Sequence, residues 1–144
     1  MSKFQAFGVD EDYQKVMQLR AVDPVGEVVG PWIGRMIFGN APKGSKPVVV
    51  HRDYHTPRSA VQKALELAPE LQNLMESLGV EVGIGMPIMK DDHEMLRIVY
   101  RFDSMVHWGQ SVDKMVSDER FLGIVNAAHE AATLKSSRML VKVE

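Results

Sequence analysis

The sequence contains no cysteine. Disulfides, thiolate nucleophiles and cysteine-ligated zinc are thereby excluded, and the redox compartment is left open with the cytosol as default. An excess of charge of one sign is missing too: 17 Lys and Arg stand against 19 Asp and Glu, a net charge of -2. A chain so balanced exerts no global pull on a phosphate backbone, which disfavours generic nucleic-acid binding. Long apolar runs are absent. No stretch approaches the roughly 20 apolar residues of a membrane span, and Met1 to Asp12 lacks the apolar core of a secretory signal. These absences predict a soluble, cytoplasmic protein with no membrane or nucleic-acid partner. What remains is ordinary globular material: 45% apolar and 25% charged over 144 residues, enough for one domain with a sizeable core.

From Lys46 onward the pattern alternates between elements. Lys46 to Tyr54, with Val48, Val49 and Val50 followed by an alternating polar tail, predicts a largely buried strand. Thr56 suits a helix N-cap and Pro57 the first helical position, where a missing N–H costs nothing. From Arg58 to Leu78 the residues Val61, Ala64, Leu65, Ala68, Leu71, Leu74, Met75 and Leu78 form the stripe of an amphipathic helix. Pro69 predicts a kink or break within it, and Gly79 a stop. Val80 to Met89 reads as a strand whose Gly83 and Gly85 suggest a bulge or a close approach by another group. After the polar turn Lys90 to His93, Glu94 to Phe102 alternates cleanly. It sets Leu96, Ile98, Tyr100 and Phe102 on one face, and Met95, Arg97, Val99 and Arg101 on the other.

Asp103 or Ser104 caps a helix bearing Met105, Val112, Met115 and Val116. Ser117 to Glu119 breaks or restarts it, and Phe121, Leu122, Val125 and Ala128 continue its apolar face. Arg138 to Val143 is a last short strand. The order is β-α-β-β-α-β, so the fold class is α+β, a ferredoxin-like sandwich over residues 46–144. Residues 1–45 form an N-terminal extension, with a short helix from Tyr13 to Val22, a strand from Trp32 to Phe38, and turn signals at Val25-Gly26 and Gly30-Pro31. The extension is expected to cover a sheet edge or to assist a subunit contact.

Both helices on one face of such a sheet leave the other face open. The more apolar set Val48, Val50, Arg52 and Tyr54 is assigned to the helix side. The open face then collects His51, Asp53, His55, Arg97 and Arg101, beside apolar Val49, Ile84, Ile88, Met95 and Val99. A surface of that kind is sticky in a monomer, and pairing with a second sheet in a symmetric dimer covers it. The enclosed space, part apolar and part cationic, suits a small, flat ligand with an acidic or enolic oxygen.

The run Phe102-Asp103-Ser104-Met105-Val106-His107-Trp108-Gly109 enters a helix just after the hairpin, and Asp118-Glu119-Arg120-Phe121 precedes the terminal strand. In this order of elements and its tryptophan-bearing second helix, the chain resembles the dimeric α+β barrel proteins, among them the antibiotic-biosynthesis monooxygenase-like and NIPSNAP-like groups. The resemblance implies a homodimer and a ligand cavity between sheet and helices. Its relatives include cofactor-free oxygenases, polyketide cyclases, isomerases and haem-degrading enzymes, and fold alone does not choose among them.

The densest functional segment is His51-Arg52-Asp53-Tyr54-His55. A histidine beside a carboxylate can take a proton from an activated carbon at neutral pH. Asp53 shares a strand face with both rings, and Arg97 or Arg101 can stabilise the resulting enolate. The catalytic candidates are therefore His51, Asp53, His55, Arg97 and Arg101, with Tyr54, Ile84, Met86, Val99 and Trp108 as candidate cavity wall. The competing reading makes the histidines a solvated strand end and pairs the arginines with Asp53 or with acids across a dimer. His107 is read as an exposed first-turn residue. No HExxH helix and no glycine-rich phosphate loop exists, and His93 lies in a solvated acidic turn, so neither a metal nor a nucleotide cofactor is expected. The expectation is a homodimeric, cofactor-independent enzyme on an aromatic or polyketide-like substrate (cyclase, isomerase or monooxygenase). The alternatives are a non-catalytic ligand-binding or interaction module, and a haem protein ligated by one of these histidines.

Overall fold

The computed structural model describes residues 10–22, 33–40, 43–90 and 92–143. The chain divides into two compact units, Met1–Pro31 and Trp32–Glu144. Within the first, helix α1 (Glu11–Val22) starts where the Asp10 carboxylate accepts from the Tyr13 N–H at 2.9 Å. The turn signals at Val25-Gly26 and Gly30-Pro31, and Trp32 as a strand start, lie outside the described residues.

The second unit is a sheet with helices. Strands β1 (Ile33–Phe38), β2 (Val48–His55), β3 (Glu81–Met89), β4 (Met95–Phe102) and β5 (Thr133–Val141) lie in the order β1-β3-β4-β2-β5, and every neighbouring pair is antiparallel. β2 and β4 are the adjacent central pair, as a β-α-β-β-α-β chain requires. The strand in the extension caps the sheet by pairing β3, which would otherwise be an edge.

Local chemistry explains the elements. Pro69 breaks the predicted long helix: α2 (Val61–Glu66) ends at Leu67, and α3 (Ala68–Ser77) restarts with the proline in its first turn, where no donor is lost. Gly79 takes φ +72 behind α3. The Ser104 hydroxyl accepts from the His107 N–H and starts α4 (Met105–Ser117), and Asp118 does the same for α5 (Glu119–Ala131) from the Arg120 N–H. Thr56 does not cap. It is buried at the end of β2, where its amide donates to the Glu94 carbonyl at 2.8 Å; the short 3-10 turn Arg58–Ala60 follows Pro57 with no side-chain cap. The last strand also begins earlier than Arg138, because its pairing with β2 starts at Thr133 against His55.

The core sits between sheet and helices. Val48, Val50, Val82, Tyr100 and Phe102 from the strands meet Leu71, Leu74, Met75, Met115, Phe121 and Ile124 from the helices. Full burial of one such side chain is worth about 1.5–3 kcal/mol, so this layer holds the helices to a single face. Ile84 belongs to that face, packed with Ala68 and Leu96. The expectation of Ile84 on the open side is corrected, since it pairs in register with Ile98 and not with Val99; Ile88 is exposed at the register shift between Pro87 and Met89. Among the described residues no helix is long and apolar enough to cross a membrane.

Candidate functional site

The face of the sheet away from the helices carries the polar candidates, and strand register sets their neighbours. His51 lies opposite Val99 on β4 and opposite Arg138 on β5. Arg97 and Arg101 flank Val99 on the same face, so the His51 ring stands among three guanidinium groups. Burial, then the Arg97 charge, with smaller contributions from Arg138 and Arg101, outweigh Asp53 and hold the His51 imidazole below its ordinary value.

Asp53 is only 2% exposed. Its carboxylate is gripped in bidentate fashion by Arg97, Nε donating to Oδ1 at 2.6 Å and Nη2 to Oδ2 at 2.8 Å. Arg138 Nη2 donates to Oδ2 at 3.2 Å, the Ser136 hydroxyl at 3.4 Å, and Lys90 Nζ stands 3.8 Å away. Burial alone would raise this carboxyl, but the bond and charge of Arg97, helped by Lys90 and Arg138, bring it below the usual carboxylate range. Asp53 thus serves the arginines. Among the described residues its carboxylate bonds Arg97, Arg138 and Ser136, and an ion-pair cluster stands where a carboxylate–imidazole dyad was expected. His55 is half-buried at the strand end with Nδ1 3.6 Å from the Asp92 carboxylate.

Arg101 is different. Its Nη1 is buried without a hydrogen-bond partner. The group lies near the bare backbone of Gly83: a Cβ built there would be 3.8 Å from Nη1 and would run into the Met36 methyl. This is the close approach that the two glycines of β3 suggested. On the opposite face Arg52 also has a buried Nε without a partner, and its guanidinium stands 5.7 Å from the Tyr100 ring centroid.

The cavity-wall candidates are split by the sheet. Val99 is on the open face between the arginines. Tyr54 and Ile84 line an apolar cavity of about 50 Å³ between sheet and helices, together with Ala64, Ala68 and Ala128. Met86 packs at the edge of that cluster, and Trp108 packs against the larger core. His107 is not the exposed residue expected. It is half-buried, its Nε2 lies 2.7 Å from the Leu78 carbonyl, and its Nδ1 accepts from the Asp103 N–H at 3.1 Å. That bonding fixes the Nε2–H tautomer and ties the start of α4 to the end of α3.

Sequence reading missed Arg138, Ser136 and Lys90. The alternation of the last strand placed Met139 and Val141 on one face and therefore Arg138 on the other, and the ferredoxin-like order sets that strand beside β2. The signal was present but lacked the register. Among the described residues no group of three His, Asp or Glu is arranged to hold a metal ion.

No family model and no curated protein matches the chain. Solved structures do. The haem-degrading enzyme LmHde from Listeria monocytogenes superposes with a TM-score of 0.58 at 12% identity, covering 90% of this chain and 94% of that one. A NIPSNAP domain protein from Burkholderia xenovorans gives 0.54 at 12% identity, over 67% of this chain and 93% of its own. A NIPSNAP family protein from Agrobacterium tumefaciens gives 0.52 at 18% identity, over 67% and 93%. The fold is the ferredoxin-like α+β fold that these structures share. At such identities the likeness carries the fold and no chemistry. A haem does not fit the cavity between sheet and helices, which measures about 50 Å³ and has no histidine in its wall.

Proposed function

We propose that the chain is a small-molecule enzyme that removes a proton from carbon beside a carbonyl, at the open face of the sheet, where a second copy closes over it. One observation carries this reading: a half-buried imidazole, disfavoured from protonating, stands among Arg97, Arg101 and Arg138. A neutral ring has the lone pair a general base needs. The proton passes to His51 and the C–H electron pair moves to the carbonyl oxygen, where the surrounding cations stabilise the enolate. Cyclisation, isomerisation or reaction with oxygen can follow from that one intermediate. No organic cofactor is required for the first step. Aromatic or polyketide-like carbonyl compounds are the substrate class, since the same face offers Val49, Val99 and Leu140 as apolar contacts.

The test is solvent hydrogen exchange. A panel of aromatic and aliphatic 1,3-dicarbonyl compounds is incubated with protein in D2O and followed by proton NMR. Faster loss of the acidic C–H signal is expected with the native chain and background loss with the H51A/H55A double variant. Exchange undiminished in a folded double variant sinks the reading. A binding module without chemistry is the second reading. It is favoured by Asp53, whose carboxylate is taken up by Arg97, Arg138 and Ser136 and serves no imidazole; ligand saturation without any exchange would identify it.

A further inference from the structure

We propose that Arg101 forms a fixed oxyanion subsite on the open face, so that the substrate carries a carboxylate or phosphoryl group apart from its reacting carbon. This deepens the reading above by naming the charge class of the ligand. Lys90, Arg97 and Arg138 all lie within 4.0 Å of one carboxylate, that of Asp53. Three cations therefore share one anion. Arg101 adds a fourth positive charge to the same face, and it makes no ion pair among the described residues. Glu81, its register partner on β3, is directed elsewhere, with its carboxylate 3.9 Å from Lys46 Nζ.

The Arg101 Nη1 is buried and unbonded, and a buried N–H left without an acceptor is costly, the more so on a charged group. The strand holds it there by design of the neighbouring positions: Gly83 supplies no side chain, and the Met36 methyl occupies the space a Cβ would take. A guanidinium held in one place and short of an acceptor matches the planar, two-oxygen end of a carboxylate or phosphoryl group. The excess positive field draws such a group toward the face. The structure sets His51 one pleat from Arg101 across the β2–β4 pair. A ligand anchored by its anion therefore presents its neighbouring carbons to the imidazole.

Isothermal titration of the full chain with benzoate and, separately, with inorganic phosphate tests the subsite. Benzoate is expected to bind, R101Q to weaken that binding at least about tenfold, R138Q to weaken it less, and added NaCl to weaken it further. Phosphate binding with the same Arg101 dependence, without benzoate binding, keeps the subsite and assigns it to a phosphoryl group. H51A should bind benzoate as well as the native chain while losing hydrogen exchange. Binding without exchange in the native chain therefore sinks only the catalytic reading. Where R101Q fails to fold, R101K replaces it, with several-fold weaker binding expected because an ammonium cannot reproduce the fork. Unchanged affinity in the variant overturns the proposal. So does the absence of binding by either anion, and if R101Q then also dissociates a dimer, Arg101 is an ion pair between copies.

Discussion

Asp53 and Arg97 are the pair on which the open face turns. Both are buried, at 2% and 7% exposure, and a buried charge is tolerated only with a well-aligned partner. Truncation of one member strands the other. D53A is expected to lose about 3–5 kcal/mol in urea unfolding, and D53A/R97M to recover much of it, because an apolar side chain of similar length carries no charge to strand. Equal losses in both variants would show that packing, not charge, sets the cost. Acid should reveal the same groups. The Asp53 carboxyl is depressed in the folded chain, so its contribution is present above the unfolded value of about 4 and is lost as pH falls through the lower folded value. The His51 ring is depressed by burial and by Arg97. Its neutral form contributes fully above the unfolded value of about 6.5, and that contribution declines below it as the unfolded chain takes up the proton. Unfolding free energy measured from pH 8 downward should therefore drop in two stages, the first below about pH 6.5 and the second below about pH 4. A single stage near pH 4 would mean that His51 is not shielded.

At the scale of elements, β1 is held by one demanding turn. Gly39 follows it with φ +84, and a Cβ there would lie 2.6 Å from the Val82 carbonyl oxygen and 2.9 Å from the Gly83 Cα. Both neighbours are backbone and cannot step aside. G39A combines a left-handed conformation with that clash and is expected to cost roughly 1–3 kcal/mol. The loss should be local: β1 amides exchange faster while β2 and β4 keep their protection. Uniform loss of protection would place β1 inside the cooperative core. Element by element, most of this was legible. The Pro69 break, the Gly79 stop, the Ser104 cap and the alternation of β4 each depend on residues within one or two turns. Thr56 was misread because a capping residue type sat next to Pro57, yet the chain needed that position to close β2 against Glu94. The pairing of β1 with β3 could not be read, since nothing within either strand names its partner.

For the molecule as a whole, the unsolved surface is the open face and its edge strand. Leu140 lies opposite Val49 on that face and is 52% exposed, and Met36 on β1 is also exposed. Apolar groups so placed around a cationic centre favour burial against a second copy. Sedimentation of the native chain should give twice the chain mass, and L140E should give the monomer with unchanged circular dichroism. A native monomer would leave the open face uncovered and remove the enclosure on which the proposed chemistry relies.

The sequence by itself determined the order of elements, which residues share a strand face, and the concentration of His51, Asp53, Arg97 and Arg101 on the side away from the helices. Those follow from periodicity and from steric rules that act over a few residues. Only the tertiary structure decided the partners. Asp53 meets Arg97 from 44 positions away and Arg138 from 85, Ile84 turns under the helices, His107 bonds the Leu78 carbonyl, and Arg101 is left with an unbonded nitrogen over Gly83. Such contacts depend on strand register, which is set by how the whole core packs and not by any short stretch of chain.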